Sequence, residues 1–170
     1  MYDQPRYDPM EESDFGPFDD GRSARNLVEG TVARGELRTD DHFYTGKVNG
    51  EFVTQFPAPV SQHMLERGRE RYNIYCSVCH GYDGRGQGMA VRRGFKQPPS
   101  FHEQRMRDAT LGHYFDVITH GFGVMPSYAA QTSEPDRWAI VAYVRALQLS
   151  QNASLDALTP EEVSKLEAMP

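Results

Sequence analysis

Both cysteines of this chain fall in one short stretch, YNIYCSVCHGYDGRG at residues 72–86, three positions apart and directly before His80. On one helical turn Cys76 and Cys79 stand at i and i+3, so their sulfurs project to the same side. His80, one step beyond Cys79 and four from Cys76, points across that same surface. The spacing suits a porphyrin whose two vinyl groups are bonded by the thiols while the imidazole takes the iron from below. Cys-x-x-Cys-His is the attachment signature of c-type haem. Glycines at 81, 84, 86 and 88 then let the backbone turn under a flat macrocycle that bulky residues would obstruct.

Other uses of two thiols and an imidazole fit less well. A structural zinc site wants four ligands, and His63, His102, His113 and His120 show no paired spacing with one another. A thioredoxin-type pair wants a strand before the first thiol and a βαβ context, yet a helical pattern precedes Cys76. A disulfide across two intervening residues is strained and closes a trivial loop. The expected cofactor is therefore one haem c, held covalently by Cys76 and Cys79, with His80 as an axial ligand of its iron.

The sixth position on the iron has six candidates: Met89, Met106, Met125, His102, His113 and His120. Met125 stands in GFGVMPSY, between glycines and a proline, and a thioether from such a fixed loop gives the His/Met pairing that raises reduction potential. Met89 and Met106 read as gap fillers or surface residues, and His120 as a helix-terminus histidine facing the dipole. The non-ligating nitrogen of His80 also wants an acceptor. A carbonyl of Pro98 or Pro99 is the expected one, although the same pair also makes an ordinary polyproline turn. Tyr128 and Trp138 have O–H and N–H groups able to reach haem propionates, and both are equally well explained as core aromatics.

The rest of the chain reads as an all-α domain behind an arm. At 170 residues it has room for one domain and an extension, and a mean hydropathy of −0.66 leaves nothing apolar enough to span a bilayer. No charged-then-apolar leader opens it, so any export signal is expected to have been removed or to lie upstream. Residues 1–20 carry seven acids (Asp3, Asp8, Glu11, Glu12, Asp14, Asp19 and Asp20) against Arg6 alone, which accounts for the whole net charge of −6. Residues 61–107 hold nine Arg or Lys and four Asp or Glu. That basic stretch is short and lacks a nucleic-acid-binding motif, so no nucleic acid is expected as a partner.

Residues 1–60 read as an extended docking arm without its own core, with a small hairpin at 43–56 around Asn49-Gly50 that places Phe52, Thr54 and Phe56 on one face. Ser61 caps a helix through about Tyr75, with Met64, Gly68, Tyr72 and Tyr75 on its buried side. Thr110 caps LGHYFDVITH, which Gly121 stops. Ser133-Glu-Pro-Asp136 opens a third helix, in the manner of a capping box, whose apolar stripe is Ile140, Tyr143, Val144 and Leu147. Gly68 and Tyr72 are expected to cross that stripe, because a glycine admits a second backbone. Residues 151–170 form an extension with a short helix opened by Thr159-Pro-Glu-Glu162.

Over about 61–150 these residues resemble the class I cytochrome c fold: a helix ending in CSVCH, a loop with PP, a second helix, the methionine loop GVMP, and the helix DRWAIVAYVRALQ. More narrowly, FYTGKVNGEF, RGRERYNIYCSVCHG, PPSFH and VITHGFGVMPSYAAQ resemble the monohaem cytochrome c subunit of alternative complex III, a bacterial quinol:electron-acceptor oxidoreductase. The resemblance reaches into the arm at LVEGTVARGEL. It implies a subunit on the outer face of the cytoplasmic membrane, beside iron–sulfur and multihaem cytochrome subunits, which receives an electron and passes it toward a soluble acceptor. The chain would not be an enzyme by itself. Members of that family are often lipid-anchored through an N-terminal cysteine; here none precedes Cys76, so membrane contact is expected through partners or an upstream anchor. A freestanding carrier, and a haem enzyme or sensor with an open iron site, are the competing expectations.

Overall fold

The computed structural model describes residues 4–14, 20–154 and 158–168; Asp3 and Asp19 of the acidic leader lie outside them. The chain divides into two units, Met1–Arg38 and Thr39–Pro170. Among the described residues of the first unit there is no helix, and the only pairing is an isolated bridge between Glu12 and Arg22. Leu27, Val28, Val32 and Leu37 are all exposed there, so these described apolar side chains gather no core.

In the second unit the local signals for helix ends act where the sequence puts them. Ser61 accepts from the Met64 N–H and opens α2 (Gln62–Tyr75), and α3 (Ser77–His80) follows after Cys76. Thr110 accepts from the His113 N–H and opens α6 (Leu111–His120), which ends at the left-handed Gly121. Ser133 accepts from the Asp136 N–H and opens α7 (Glu134–Asn152), the longest helix. Thr159 and Glu162 make a complete reciprocal box at the start of α8 (Pro160–Glu167). Two single-turn helices, α4 (Met89–Arg92) and α5 (Gln104–Asp108), interrupt the long connection between α3 and α6.

The expected hairpin is smaller than its sequence suggests. Phe43 to Thr45 belong to α1 (Asp41–Thr45), because Asp40 caps that turn through the Phe43 N–H and offers the aromatic run a local alternative to a strand. Only β1 (Lys47–Val48) and β2 (Glu51–Phe52) pair, antiparallel, around Asn49 and Gly50, both at positive φ as a tight primed turn needs. This segment lies on the helices. Gly112 donates its N–H to the Val53 carbonyl (2.9 Å), and Lys47 reaches Asp116 (2.8 Å). Residues 39–60, expected in the arm, are therefore part of the helical unit.

The core forms where α2 crosses α7. A Cβ on Gly68 would stand 2.0 Å from the Ala139 carbonyl oxygen and 3.0 Å from Tyr143 Cβ, so the two backbones meet there, as the apolar stripes predict. One turn on, the fully buried Tyr72 ring sits edge-on to Tyr143 at 5.3 Å. Phe115 of α6 stacks on Trp138 of α7 at 4.6 Å. Such aromatic pairs contribute about 0.5–1.5 kcal/mol each beyond the area they bury. Among the described residues no helix is long and apolar enough to cross a membrane.

A bidentate ion pair clamps the same crossing: Arg67 Nε and Nη2 donate to the two carboxylate oxygens of Asp136 at 2.7 and 3.0 Å. Asp136 is thus drawn to α2 in place of closing a capping box, and hydrogen bonding to Arg67 holds its carboxyl below the usual carboxylate range. A depressed folded-state pKa adds stability above the unfolded value and loses it as acid protonates the folded carboxylate. Below about pH 4 the protein is expected to lose stability more steeply than its Asp136→Asn variant. Parallel urea titrations across the acid range check this; identical slopes would show that the pair contributes nothing.

Candidate functional site

The signature residues sit on a helical turn continuous with α2. Cys76 still donates its N–H to Tyr72 (2.8 Å), while Cys79 and His80 both donate theirs to the Cys76 carbonyl (3.1 and 2.9 Å). Tyr72 then reaches past the turn, its hydroxyl donating to the Gly81 carbonyl at 2.7 Å. A core tyrosine therefore ties the end of α3 to α2.

The glycine-rich loop after His80 folds back on that turn. Gly86 N–H donates to the His80 carbonyl (2.8 Å) and Gly88 N–H to the Cys79 carbonyl (3.0 Å). Side chains would not fit at these two positions, because a Cβ on Gly86 would lie 2.4 Å from the Pro98 oxygen and one on Gly88 would lie 2.2 Å from the Val78 oxygen. The glycines are needed here for close backbone contact.

Cys76 and Cys79 are both free thiols, half-buried. Burial, with Cys79 adding to it, pushes the Cys76 thiol up to about 12, so it is a protonated thiol at neutral pH and a poor reactive thiolate. Burial pushes the His80 imidazole down to about 4, leaving it neutral with a lone pair to give. Neither ring nitrogen of His80 has a hydrogen-bond partner among the described residues, and its Nδ1 is a buried orphan. Two free thiols and an unprotonated, unpaired imidazole on one turn are the donor set a covalently attached haem requires. A bare metal ion finds no comparable set: among the described residues no three His, Cys, Asp or Glu side chains group to hold one.

The remaining sequence candidates divide. Tyr128 lies near the thiols: burial, then the proximity of Cys79 and Cys76, raises its phenol above the ordinary value. Met125 is half-buried in a loop pinned at both ends. Phe122 and Met125 exchange backbone hydrogen bonds at 3.0 Å, and Ser127 Oγ donates to the Thr119 carbonyl at 2.6 Å. The flanking Phe122 and Val124 are 71% and 75% exposed. Other sixth-position candidates are engaged elsewhere. His102 Nε2 faces the Asp83 carbonyl at 2.7 Å, the exposed His120 pairs with Asp116 at 3.1 Å, and His113 packs edge-on against Phe52, Tyr114 and Phe122. Met106 packs on the core, and Met89 is exposed.

Two expectations need correction. Trp138 is 1% exposed and its indole N–H donates to the Phe43 carbonyl at 2.8 Å, so that donor is not free for a propionate. No hydrogen bond joins His80 to Pro98 or Pro99 in this structure, and a Cβ on Gly86 would lie 2.4 Å from the Pro98 oxygen. One residue was missed altogether. Phe101, in PPSFH, stacks on the His80 ring at 4.6 Å with 11° between planes. An aromatic closing the turn after the prolines was the only signal available.

Residues 63–144 match the family model described as "Cytochrome C oxidase, cbb3-type, subunit III". No curated protein matches the chain. Among solved structures it is similar to a chain of the Kuenenia stuttgartiensis reducing HAO-like protein complex Kustc0457/Kustc0458, at 24% identity and a TM-score of 0.48, over 63% of this chain and 54% of that one. It is also similar to the KustC0563 c-type cytochrome, at 20% identity and a TM-score of 0.42, over 48% of this chain and 96% of that one.

Proposed function

We propose that this all-α chain, whose residues 63–144 match a cytochrome family model, is a class I c-type cytochrome that carries a single covalently held haem and serves as an electron-transfer subunit of a membrane complex that oxidises quinol. The observation that carries the redox part is the turn of Cys76, Cys79 and His80, where two free thiols accompany a neutral imidazole with no competing hydrogen bond. Cys76 and Cys79 would hold the macrocycle through thioethers, and His80 and Met125 would bind its iron. When bound, haem supplies a one-electron ferric/ferrous couple, with axial ligands and burial tuning its potential. The buried His80 ring stays unprotonated, with a lone pair to give, and Met125, in its pinned loop, would be the second residue to hold the iron. Tyr128, beside the thiols, would line the pocket.

The membrane-complex part is supported by the resemblance of FYTGKVNGEF, PPSFH and VITHGFGVMPSYAAQ to the monohaem subunit of alternative complex III, and by the exposure of Leu27, Val28, Val32 and Leu37 in the first unit. The arm, residues 1–38, would dock on neighbouring multihaem and iron–sulfur subunits on the outer face of the cytoplasmic membrane, and the electron would leave toward a soluble acceptor. The cbb3-type family match favours a second reading, a subunit passing electrons to a terminal oxidase. Purification from membranes separates the two. Travel with multihaem and quinol-binding subunits supports the first, travel with oxidase subunits supports the second, and a monomer with a protease-resistant arm would sink both.

Met125→Ala is expected to lower the reduction potential and open the iron to carbon monoxide in the native ferrous form, because a thioether ligand raises potential and its loss leaves the sixth site vacant. An unchanged visible spectrum in that variant would remove Met125 as a ligand.

A further inference from the structure

The connection from α6 to α7 carries Met125 and Tyr128 and holds no helix, with only an isolated bridge between Phe122 and Met125. Its backbone carbonyls therefore need donors from elsewhere. Several come from one side chain. Arg137, in the first turn of α7, is 5% exposed. Its Nε donates to the Thr132 carbonyl (3.0 Å), its Nη2 to the Ala129 carbonyl (3.3 Å) and its Nη1 to Thr119 Oγ1 (3.2 Å). The guanidinium also lies over the Phe115 ring, 5.6 Å from its centroid.

Thr119 relays this hold toward the methionine. Its hydroxyl donates to the Phe115 carbonyl at 2.7 Å, which leaves its lone pairs for Arg137, and its carbonyl accepts from Ser127, two residues beyond Met125. The Tyr128 N–H donates to the Ile118 carbonyl (2.9 Å), and Thr132 Oγ1 to the Tyr128 carbonyl (2.6 Å). The second half of the loop is thus laced to the end of α6 and the start of α7, with a buried guanidinium at the junction. Burying a charge is costly, and an apolar side chain here would leave three acceptors on two segments without this donor; a planar fork of five donors serves them all.

We propose that Arg137 is a positioning residue for Met125, its fork of donors fixing the loop so that the thioether sulfur stays on the iron. This rests on the reading of Met125 as an iron ligand. Without the fork the helices still fold, but the loop swings away and the sulfur exchanges. Each charged hydrogen bond lost raises the population of the displaced loop roughly tenfold. Carbon monoxide enters a six-coordinate ferrous haem only when the sulfur leaves, so its rate of binding reads that population apart from electron transfer.

The test uses the full-length haem-loaded protein and its Arg137→Met, Arg137→Lys, Thr119→Val and Asp136→Asn variants. Carbon monoxide binding to the ferrous form is measured beside the ferric sulfur-to-iron charge-transfer band and helical circular dichroism. Arg137→Met is expected to bind carbon monoxide roughly tenfold faster or more, and to lose the band at temperatures where the helices are intact. Arg137→Lys, which keeps the charge without the fork, is expected to behave as methionine does. Thr119→Val, which removes one acceptor and keeps the shape, is expected to give a smaller acceleration. Asp136→Asn, which weakens the neighbouring clamp on Arg67, is expected to lower stability and leave the rate at the wild-type value. A wild-type rate in Arg137→Met, however destabilised it is, would reduce Arg137 to core packing. The same rate in Arg137→Lys would credit the charge alone and overturn the fork. Asp136→Asn accelerated as far as Arg137→Met would assign the effect to a general loosening of α7. If Arg137→Met does not accumulate, Thr119→Val decides, and an unchanged rate there overturns the brace. Failure of the ligand reading looks different: the wild-type protein itself would lack the sulfur band and bind carbon monoxide as fast as Met125→Ala.

Discussion

Replacing Cys76 and Cys79 together by serine is expected to abolish covalent haem, leaving a protein whose intact mass lacks the macrocycle and whose pigment is stripped by acid–acetone. The expectation follows from position and protonation. Both sulfurs lie on one helical turn, neither is in a disulfide, and burial keeps Cys76 as a protonated thiol. They are the only cysteines of the chain, so no other thiol can substitute. Serine preserves the size of the side chain and the turn, because the backbone bonds from Cys76 and Cys79 do not involve sulfur. Loss of pigment in a protein that keeps its helical circular dichroism would therefore report attachment itself. Pigment that survives extraction from the double variant would place attachment elsewhere and end the thioether assignment.

The second large effect is on folding. Gly68→Ala is expected to destabilise the protein by roughly 2–4 kcal/mol, at and beyond the upper end of ordinary overpacking. The added methyl would meet the Ala139 carbonyl at 2.0 Å, and a backbone oxygen in the middle of a 19-residue helix cannot rotate away as a side chain does. Relief requires α2 and α7 to separate, which loosens Tyr72 against Tyr143 and, through the Tyr72 hydroxyl, the end of the turn that carries His80. Haem-loaded yield is expected to fall along with stability. Alanine at the exposed neighbour Arg69 is the control, with an expected change of less than about 0.5 kcal/mol. Urea unfolding of the two variants measures the difference; equal midpoints would mean that the helices do not cross at Gly68.

What could be read in advance was what acts over short stretches of chain. Ser61, Thr110, Ser133 and Thr159 each bond an N–H three residues on, so their helices start where a local reading puts them. The Met125 loop is likewise closed by its own neighbours. The misreadings come from competition. The run at 43–45 has strand-forming side chains, yet Asp40 just before it supplies a cap and α1 wins. At Trp138 the polar tip was legible, but its acceptor, the Phe43 carbonyl, lies 95 residues away in sequence.

The sequence by itself determined which residues make up the proposed site, because a thiol pair and an imidazole spaced to share one helical turn need nothing distant to bring them together. It also announced the crossing of α2 and α7, since a glycine among apolar residues at helical spacing leaves a gap that a second backbone fills. Only the tertiary structure decided what packs on the imidazole. Phe101, Gln148 and His80 come from three separate segments, and the stacking and hydrogen bonds that join them arise when α7 closes over the loop after α4. Short-range preferences are encoded in neighbouring residues, whereas the partner of a buried ring or amide is selected by which surfaces the packed helices bring together.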